Sequence, residues 1–422
     1  MTNKKRAGES RDGSARVRWH GPEHHWRHVV SYSEHGTKLS FELIQPDNVS
    51  NDAALQAVWQ ALLSESANLY AQYQSSSWWE HLGTTPEAAD RRLLLMKEGS
   101  GIAGVIPLQM VVRTIDTNLP GVLQDISAIR CVELLGSLPL IPADATIATA
   151  MLDAVLDNVP EAQAIYFKSV PETSGWADLI MQAGNATRSG FSYVSRDTAF
   201  HSLELPEKFD EYLGQFGKKK RYNLKRQQRL MEEAYGGEMR VDCITREDHI
   251  DLFLATAEAV AAGSWKDDRH TVAFARTPSN RARYADLARR GLLRGYLIRQ
   301  GERPVASVVG YQFGNTYHYA DIAYVDSDIH LSPGSVLLLL IIRDLIENTP
   351  MRRVNFGMGD ADYKRQFGNL HGRDRAMWVL RATRRNSLIC AVHGAGKKLV
   401  QRLRALRKRG ANGEGAAGGD PF

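Results

Sequence analysis

Arg353-Val354-Asn355-Phe356-Gly357-Met358-Gly359-Asp360-Ala361-Asp362-Tyr363-Lys364-Arg365-Gln366-Phe367-Gly368 is the stretch on which the reading of the chain turns. Val354 to Phe356 reads as a short strand. Gly357 and Gly359 then permit a sharp turn or a close backbone approach to a bound group. Asp360, Asp362, Tyr363 and Lys364 follow within about one helical turn, bringing titratable and hydrogen-bonding groups together. Such a turn suits a reactive site, and it equally suits a glycine turn before an ordinary amphipathic helix.

If it is a site, its chemistry follows from the residue types. The Lys364 ammonium would stabilise negative charge growing on a carbonyl oxygen during acyl transfer. Tyr363 would donate a proton to a leaving thiolate or phosphate, although a phenol with an ordinary pKa near 10 is a weak acid. Asp360 or Asp362 would hold an attacking amine or take its proton. The preceding strand, Thr316 to Val325, carries His318 and Asp321. Strand alternation places residues three apart on opposite faces, so at most one of the two points at the site. Asp321 is the better candidate, because a carboxylate among Tyr, Ile and Ala needs a partner.

Between that strand and the glycine turn lies Ser332-Pro333-Gly334-Ser335, opening a helix that runs to Asn348. Ser332 suits the N-cap and Pro333 the first helical position. Unpaired N–H groups and the helix dipole there favour an anion, in a strand–loop–helix layout that would cradle a pyrophosphate. Good capping chemistry before a buried helix accounts for the same residues. Upstream, Phe209 to Ala234 reads as a helix with a basic run, Lys218-Lys219-Lys220-Arg221 followed by Lys225, Arg226 and Arg229. Gly217 and Asn223 weaken its continuity. The run fits a phosphate clamp, a contact with nucleic-acid backbone, or a plain solvated face. With Tyr222 as its lone aromatic, it makes a poor platform for stacked bases.

The rest of the chain repeats one grammar. Leu93 to Met96, a turn at Glu98-Gly99-Ser100-Gly101 and Ile102 to Val111 read as a hairpin. Leu292 to Arg299, a turn at Gln300-Gly301-Glu302 and Pro304 to Tyr311 read as another. Each is followed by a further strand region, a helix (Ala143 to Leu156; Ser332 to Asn348) and a short strand (Ala164 to Phe167; Val354 to Phe356). The two halves are one architecture used twice. They differ chemically, since Lys168-Ser169-Val170-Pro171-Glu172 has no counterpart of Tyr363-Lys364, so the second half is read as the working copy.

With 422 residues the chain exceeds one comfortable core. Its longest apolar run, Val336 to Ile342, is far short of the roughly 20 residues that span a bilayer. Residues 1–37 read as a disordered leader without the apolar segment of a secretory signal. Cys131, Cys243 and Cys390 are scattered without pair spacing, which excludes a disulfide scaffold or a cysteine zinc site and fits a reducing cytoplasm. No His/Cys metal-ligand spacing, nucleophile elbow or dinucleotide fingerprint appears. The net charge of +5 is clustered in the basic run and in the segment from Lys397 to Arg409. There Leu399, Leu403 and Leu406 make a short basic amphipathic helix, suited to an anionic membrane surface or to the protein's own body.

The order Arg221-Tyr222-Asn223-Leu224-Lys225-Arg226, Ser332-Pro333-Gly334, then Asn355-Phe356-Gly357-Met358-Gly359-Asp360 with Tyr363-Lys364 resembles the GNAT-fold N-acyltransferases of BioF2-like or CelD-like type, relatives of the FemABX peptidyltransferases. The likeness runs from about Leu39 to Thr383 and is strongest over Gly217 to Gly368. It implies an α/β (α+β) fold of two tandem GNAT-like domains, with mixed, mostly antiparallel sheets flanked by helices. Residues 38–205 would form the first domain, 206–385 the second, and 386–422 a basic helix and tail. It further implies transfer from an acyl-CoA or acyl-carrier-protein thioester to an amine, with no permanently bound cofactor. By the same resemblance, donor phosphates would lie at Ser332, Pro333, Gly334 and Ser335, although this turn departs from the usual Gln/Arg-x-x-Gly-x-Gly/Ala loop. Lys364 would stabilise the transition state, with Tyr363, Asp360 and Asp321 beside it. Arg221 or Arg226, with Asn223, would hold a phosphate of the acceptor, a small-molecule, glycan- or nucleotide-linked amine. Exopolysaccharide or cellulose assembly is the context the resemblance suggests. Aminoacyl transfer from tRNA and a catalytically silent scaffold are its rivals, and the long coiled-coil insertion of many FemABX enzymes is missing here.

Overall fold

The computed structural model describes residues 30–34, 37–49, 52–66, 68–84, 90–115, 128–187, 190–264 and 272–396, with 398 and 402. The first half contains β1 (Val30–Glu34), β2 (Thr37–Ile44), α1 (Ala53–Glu65), α2 (Ala71–Gln74), α3 (Ser76–Thr84), β3 (Arg91–Glu98), β4 (Gly101–Thr114), β5 (Ala128–Leu134), α4 (Ala145–Asn158), β6 (Ala164–Pro171), α5 (Trp176–Ala186) and β7 (Gly190–Glu204). The second contains α6 (Phe209–Gly214), α7 (Lys218–Ala234), β8 (Met239–Ile244), α8 (Ile250–Ala262), α9 (Pro278–Arg289), β9 (Gly295–Gln300), β10 (Arg303–Phe313), β11 (Thr316–Tyr324), α10 (Pro333–Asn348), β12 (Arg353–Met358), α11 (Asp362–Phe367) and β13 (Leu370–Arg381). A last helix, α12, covers 384–396.

Both hairpins form where the glycine turns place them, with Gly99 and Gly301 in the left-handed region that glycine adopts without strain. The helix expected over Phe209 to Ala234 is broken into α6 and α7, with Gly217 at the extended N-cap of α7. The leader is shorter than expected. Val30–Glu34 pairs antiparallel with β2, as the alternation Val30, Ser31, Tyr32 permits once a strand edge is offered. The C-terminal basic helix expected over Lys397 to Arg409 falls almost wholly outside the described residues.

All the described strands join one mixed sheet of 13, in the order β1-β2-β3-β4-β5-β6-β13-β7-β12-β11-β10-β9-β8. The order has an approximate two-fold character. From one side it runs β2 to β6, then β13 and β7; from the other, β8 to β12, then β7 and β13. Each half borrows a strand from the other: β13 lies between β6 and β7, and β7 lies between β13 and β12. The cores follow. Met377 and Val379 of β13 are buried among Met151, Leu152, Val155 and Ile180 of α4 and α5. Leu203 of β7 is buried with Val336, Leu337, Ile341 and Leu345 of α10. A break in sequence at 205/206 is therefore not a break in the sheet. A second tie crosses the halves, where buried His81 on α3 meets Asp286 on α9 at 2.7 Å and Arg290 bridges Asp286 and Glu80.

In each half one pair of parallel strands makes few contacts. β11 and β12 pair over Thr316↔Arg353, Tyr317↔Val354 and His318↔Asn355, and β5 and β6 pair over Cys131↔Ala164 to Glu133↔Tyr166. Beyond these rungs no further pairs join the two strands in either half among the described residues.

Candidate active site

The parting of β11 and β12 holds the first site. A cavity of about 290 Å3 opens there. Ser332, Pro333, Gly334 and Ser335 form its floor at the start of α10, and Tyr319, Ile322, Tyr324, Ile329, Leu338 and Tyr363 form its walls. The four turn residues and Tyr363 are thus brought together as the spacing suggested. Ser332 sits at the N-cap with φ of 55°, in the left-handed region unusual for a side-chain-bearing residue. Its hydroxyl does not cap the helix, contrary to expectation. The left-handed backbone carries the side chain away from the helix N–H groups, and its Oγ accepts from Gln227 Nε2 of α7 at 3.2 Å. No side chain caps α10, so its positive end faces the cavity. The first-half counterpart is closed, because the Asp144 carboxylate caps α4 by accepting from Thr146 and Ile147 N–H at 2.8 and 3.0 Å.

Tyr319 is the feature that spacing missed. It is 3 % exposed, it lines the cavity, and its buried hydroxyl has no hydrogen-bond partner. A lone buried hydroxyl costs about 1–3 kcal/mol, which a bound ligand would relieve. Alternate aromatics in Thr316 to Tyr324 were the available signal.

Lys364 is buried but does not line this cavity. Its Nζ donates to the Met358 carbonyl at 2.7 Å and reaches the Gly357 carbonyl at 3.4 Å, so the ammonium is anchored on the glycine turn. Burial lowers its pKa to about 8, against a smaller opposing effect of Asp360. Tyr363 is pushed up to about 12 by burial and then by the Asp321 charge, so it is a hydrogen-bond donor and a worse acid than an ordinary phenol. Asp360 is half-exposed; it accepts from His201 Nε2 at 3.1 Å and pairs with Arg365, contacts that keep its carboxyl below the usual range. His201 Nδ1 in turn lies 2.8 Å from His371 Nδ1, and burial holds His201 below its ordinary pKa. Asp362 pairs with Arg365 at the surface.

The alternation argument for His318 and Asp321 fails for a definite reason. The β10–β11 register jumps from Gly310↔Tyr319 to Val309↔Asp321, so Ala320 is an extra residue, a β-bulge. His318 pairs with Tyr311, and Asp321 with Val309. Both partners belong to the core beneath α8 and α9, so both residues turn to that face, opposite Tyr319. His318 stacks edge-on to Tyr73 at 5.6 Å, and burial drops its pKa to about 4. The Asp321 charge is nonetheless felt at the cavity by Tyr363.

Arg221, Asn223 and Arg226 are exposed on α7, where the structure leaves them outside the cavity. α7 reaches the site through Gln227, and Lys220 donates to the Gln366 carbonyl of α11. Among the described residues no group of three or more His, Cys, Asp or Glu is placed to hold a metal ion, and no helix is long and apolar enough to cross a membrane.

Comparison with known proteins agrees with this architecture. Residues 218–365 match the family model described as an acetyltransferase (GNAT) domain. No curated protein matches the sequence. Among solved structures, FemX is similar with a TM-score of 0.53 at 12% identity, over 80% of this chain and 98% of that one. A conserved protein of unknown function from Bacteroides thetaiotaomicron VPI-5482 has a TM-score of 0.48 at 12% identity, covering 77% and 97%. A tandem GNAT protein from the clavulanic acid biosynthesis pathway has 0.46 at 13% identity, covering 81% and 99%. The fold is the mixed α/β, GNAT-like arrangement, and the match to the GNAT-domain model falls in the second half.

Proposed function

We propose that the protein is an N-acyltransferase that moves an acyl group from a thioester of acyl-CoA or acyl-carrier-protein type to an amine. The observation that carries this reading is the uncapped start of α10, facing a tyrosine-lined cavity where β11 and β12 part. A pyrophosphate suits the positive helix end. An extended, amide-containing arm suits the β11 side of the cavity, where pairing with β12 has ended. The amine attacks the thioester carbonyl, the C–N bond forms, the C–S bond breaks, and the amine's proton leaves with the thiolate or solvent. A lysine ammonium has three donors. Two are engaged on the Gly357 and Met358 carbonyls, and Lys364 lies outside the cavity lining, so its third donor serves the oxyanion only where the acyl end of the ligand reaches past Tyr363. Tyr319 and Tyr363 are further donors at the cavity wall. The BioF2-like or CelD-like subtype, with an envelope-polysaccharide amine as acceptor and a cytoplasmic setting, is the finer form of the proposal.

The test is a thermal-shift screen of acyl-CoAs of graded chain length beside acyl-carrier-protein thioesters. A ligand that binds the native state raises its stability, by about 2.7 kcal/mol at a hundredfold excess over Kd. Failure of every thioester to raise Tm would discard the reading. A second reading, aminoacyl transfer from tRNA, draws on the exposed bases of α7, Lys218, Lys219, Arg221, Lys225, Arg226 and Arg229. It requires tRNA affinity that falls steeply with salt; binding without a salt slope removes it.

A further inference from the structure

A second cavity, of about 750 Å3 and within the range of small-molecule sites, is enclosed by the end of α1, the loop at 138–142, the turn after β6 and the strands β7, β12 and β13. Leu62, Leu69, Leu138, Leu140 and Trp176 make its walls apolar. Its base is laid across three strands from both halves. Ser202 on β7 pairs with Leu370 on β13 and Asn355 on β12, and Arg353, two residues before Asn355, shares their face. Ser202, Leu370 and Arg353 all line the cavity.

Two polar groups there are unsatisfied. The Ser202 hydroxyl, on a residue 1 % exposed, has no partner. Arg353 Nε is buried without a partner, while its Nη2 reaches the half-exposed Glu204 at 3.3 Å. The other charged lining residue, Glu65, is exposed at the α1 side. The walls therefore ask for an apolar body, and one place at the base asks for an acceptor, best an anionic one. A diphosphate is disfavoured, since the Asp144 carboxylate already occupies the α4 N-terminus.

From this arrangement we infer that the first half binds an amphipathic anion, with a carboxylate or phosphate head at Arg353 and Ser202 and an apolar tail along Leu62, Leu69, Leu138, Leu140 and Trp176. The site is separate from the thioester cavity and does not depend on acyl transfer being the activity.

The experiment is calorimetric titration of the full chain with dodecanoate, dodecyl phosphate and dodecylamine. The two anions bind saturably and the amine does not; the tighter anion identifies the head group. Arg353→Met weakens the anions by about tenfold or more, the worth of a charge-assisted hydrogen bond. Thr173→Trp, at an exposed position on the lining, blocks entry while leaving Tm unchanged and so controls for misfolding of the first variant. Lys364→Ala binds the anions like the parent, which separates this site from the proposed catalytic one. Absence of saturable binding, equal or better binding of the amine, or anion binding that neither cavity variant alters would each overturn the inference.

Discussion

On the proposed acyl transfer, Lys364 and Tyr319 have separate roles that substitution can expose. Lys364→Ala removes an ammonium held by two carbonyls, and transfer is expected to fall by about a hundredfold or more, as for loss of an oxyanion donor, with the thioester-induced Tm shift retained. Since its proton leaves near pH 8, the transfer rate should decline as pH rises through that value if the charged form acts; a rate still climbing at pH 9 would make Lys364 a base instead. Tyr319→Phe deletes a hydroxyl that has no partner within the protein. Unliganded stability should therefore stay within about 1 kcal/mol of the parent, while thioester affinity drops. A loss of stability without loss of affinity would give the hydroxyl a partner within the protein. At this scale the sequence was partly readable. Ser332 to Ser335 and Tyr363 were marked by glycine, proline and adjacency, all local signals. The face of Asp321 is not legible, because a bulge at Ala320 has no mark in residue type, and neither is the buried hydroxyl of Tyr319, because its burial depends on α10 and α11 packing above it.

The short helical turn Asp326–Leu331, which delivers the chain to α10, is the element whose position the site most needs. Asp328 holds it. Arg303 donates to its carboxylate at 2.7 and 3.1 Å, Ser327 at 2.9 Å, and Tyr235 from the end of α7 also donates. Burial alone would raise its pKa, but these contacts prevail and hold it at about 2, below the ordinary 3.8. A depressed carboxyl contributes stability that is complete above the unfolded pKa and disappears as pH falls through the folded one. Asp328→Asn should therefore cost about 1–3 kcal/mol at pH 7, with the gap to the parent narrowing between pH 4 and 2 in urea titrations. A gap that stays constant with pH would mean that the charge is not what clamps the turn. Helices and hairpins were legible because periodicity and glycine turns are local; the break at Gln215 to Gly217 was hinted at by Gly217. What the elements do to one another was not written in any of them.

Across the whole molecule, the repeat was visible in the matching order of hairpin, strand and helix, yet the exchange of β7 and β13 was not, since nothing in either strand names its neighbours. The exchange predicts that neither half stands alone. A fragment of residues 1–205 lacks β13, and with it Met377 and Val379 from its core; residues 206–422 lack Leu203 and the partner of β12. Both fragments should fail to give a cooperative unfolding transition by circular dichroism, and mixing them should restore it. A cooperatively melting 1–205 fragment would contradict this.

During synthesis the same exchange sets a schedule. The strand that seals the first core leaves the ribosome late, since β13 begins at Leu370, 166 residues after β7 ends at Glu204. Until then β6 presents an unmet edge, the kind that seeks strands of other nascent chains. Late closure over so long a loop slows maturation and lengthens exposure. A cell making this protein therefore has reason to shield the nascent N-terminal half until β13 emerges, and a stop codon just before Leu370 would release chains with open edges on β6 and β7 and a first core lacking Met377 and Val379.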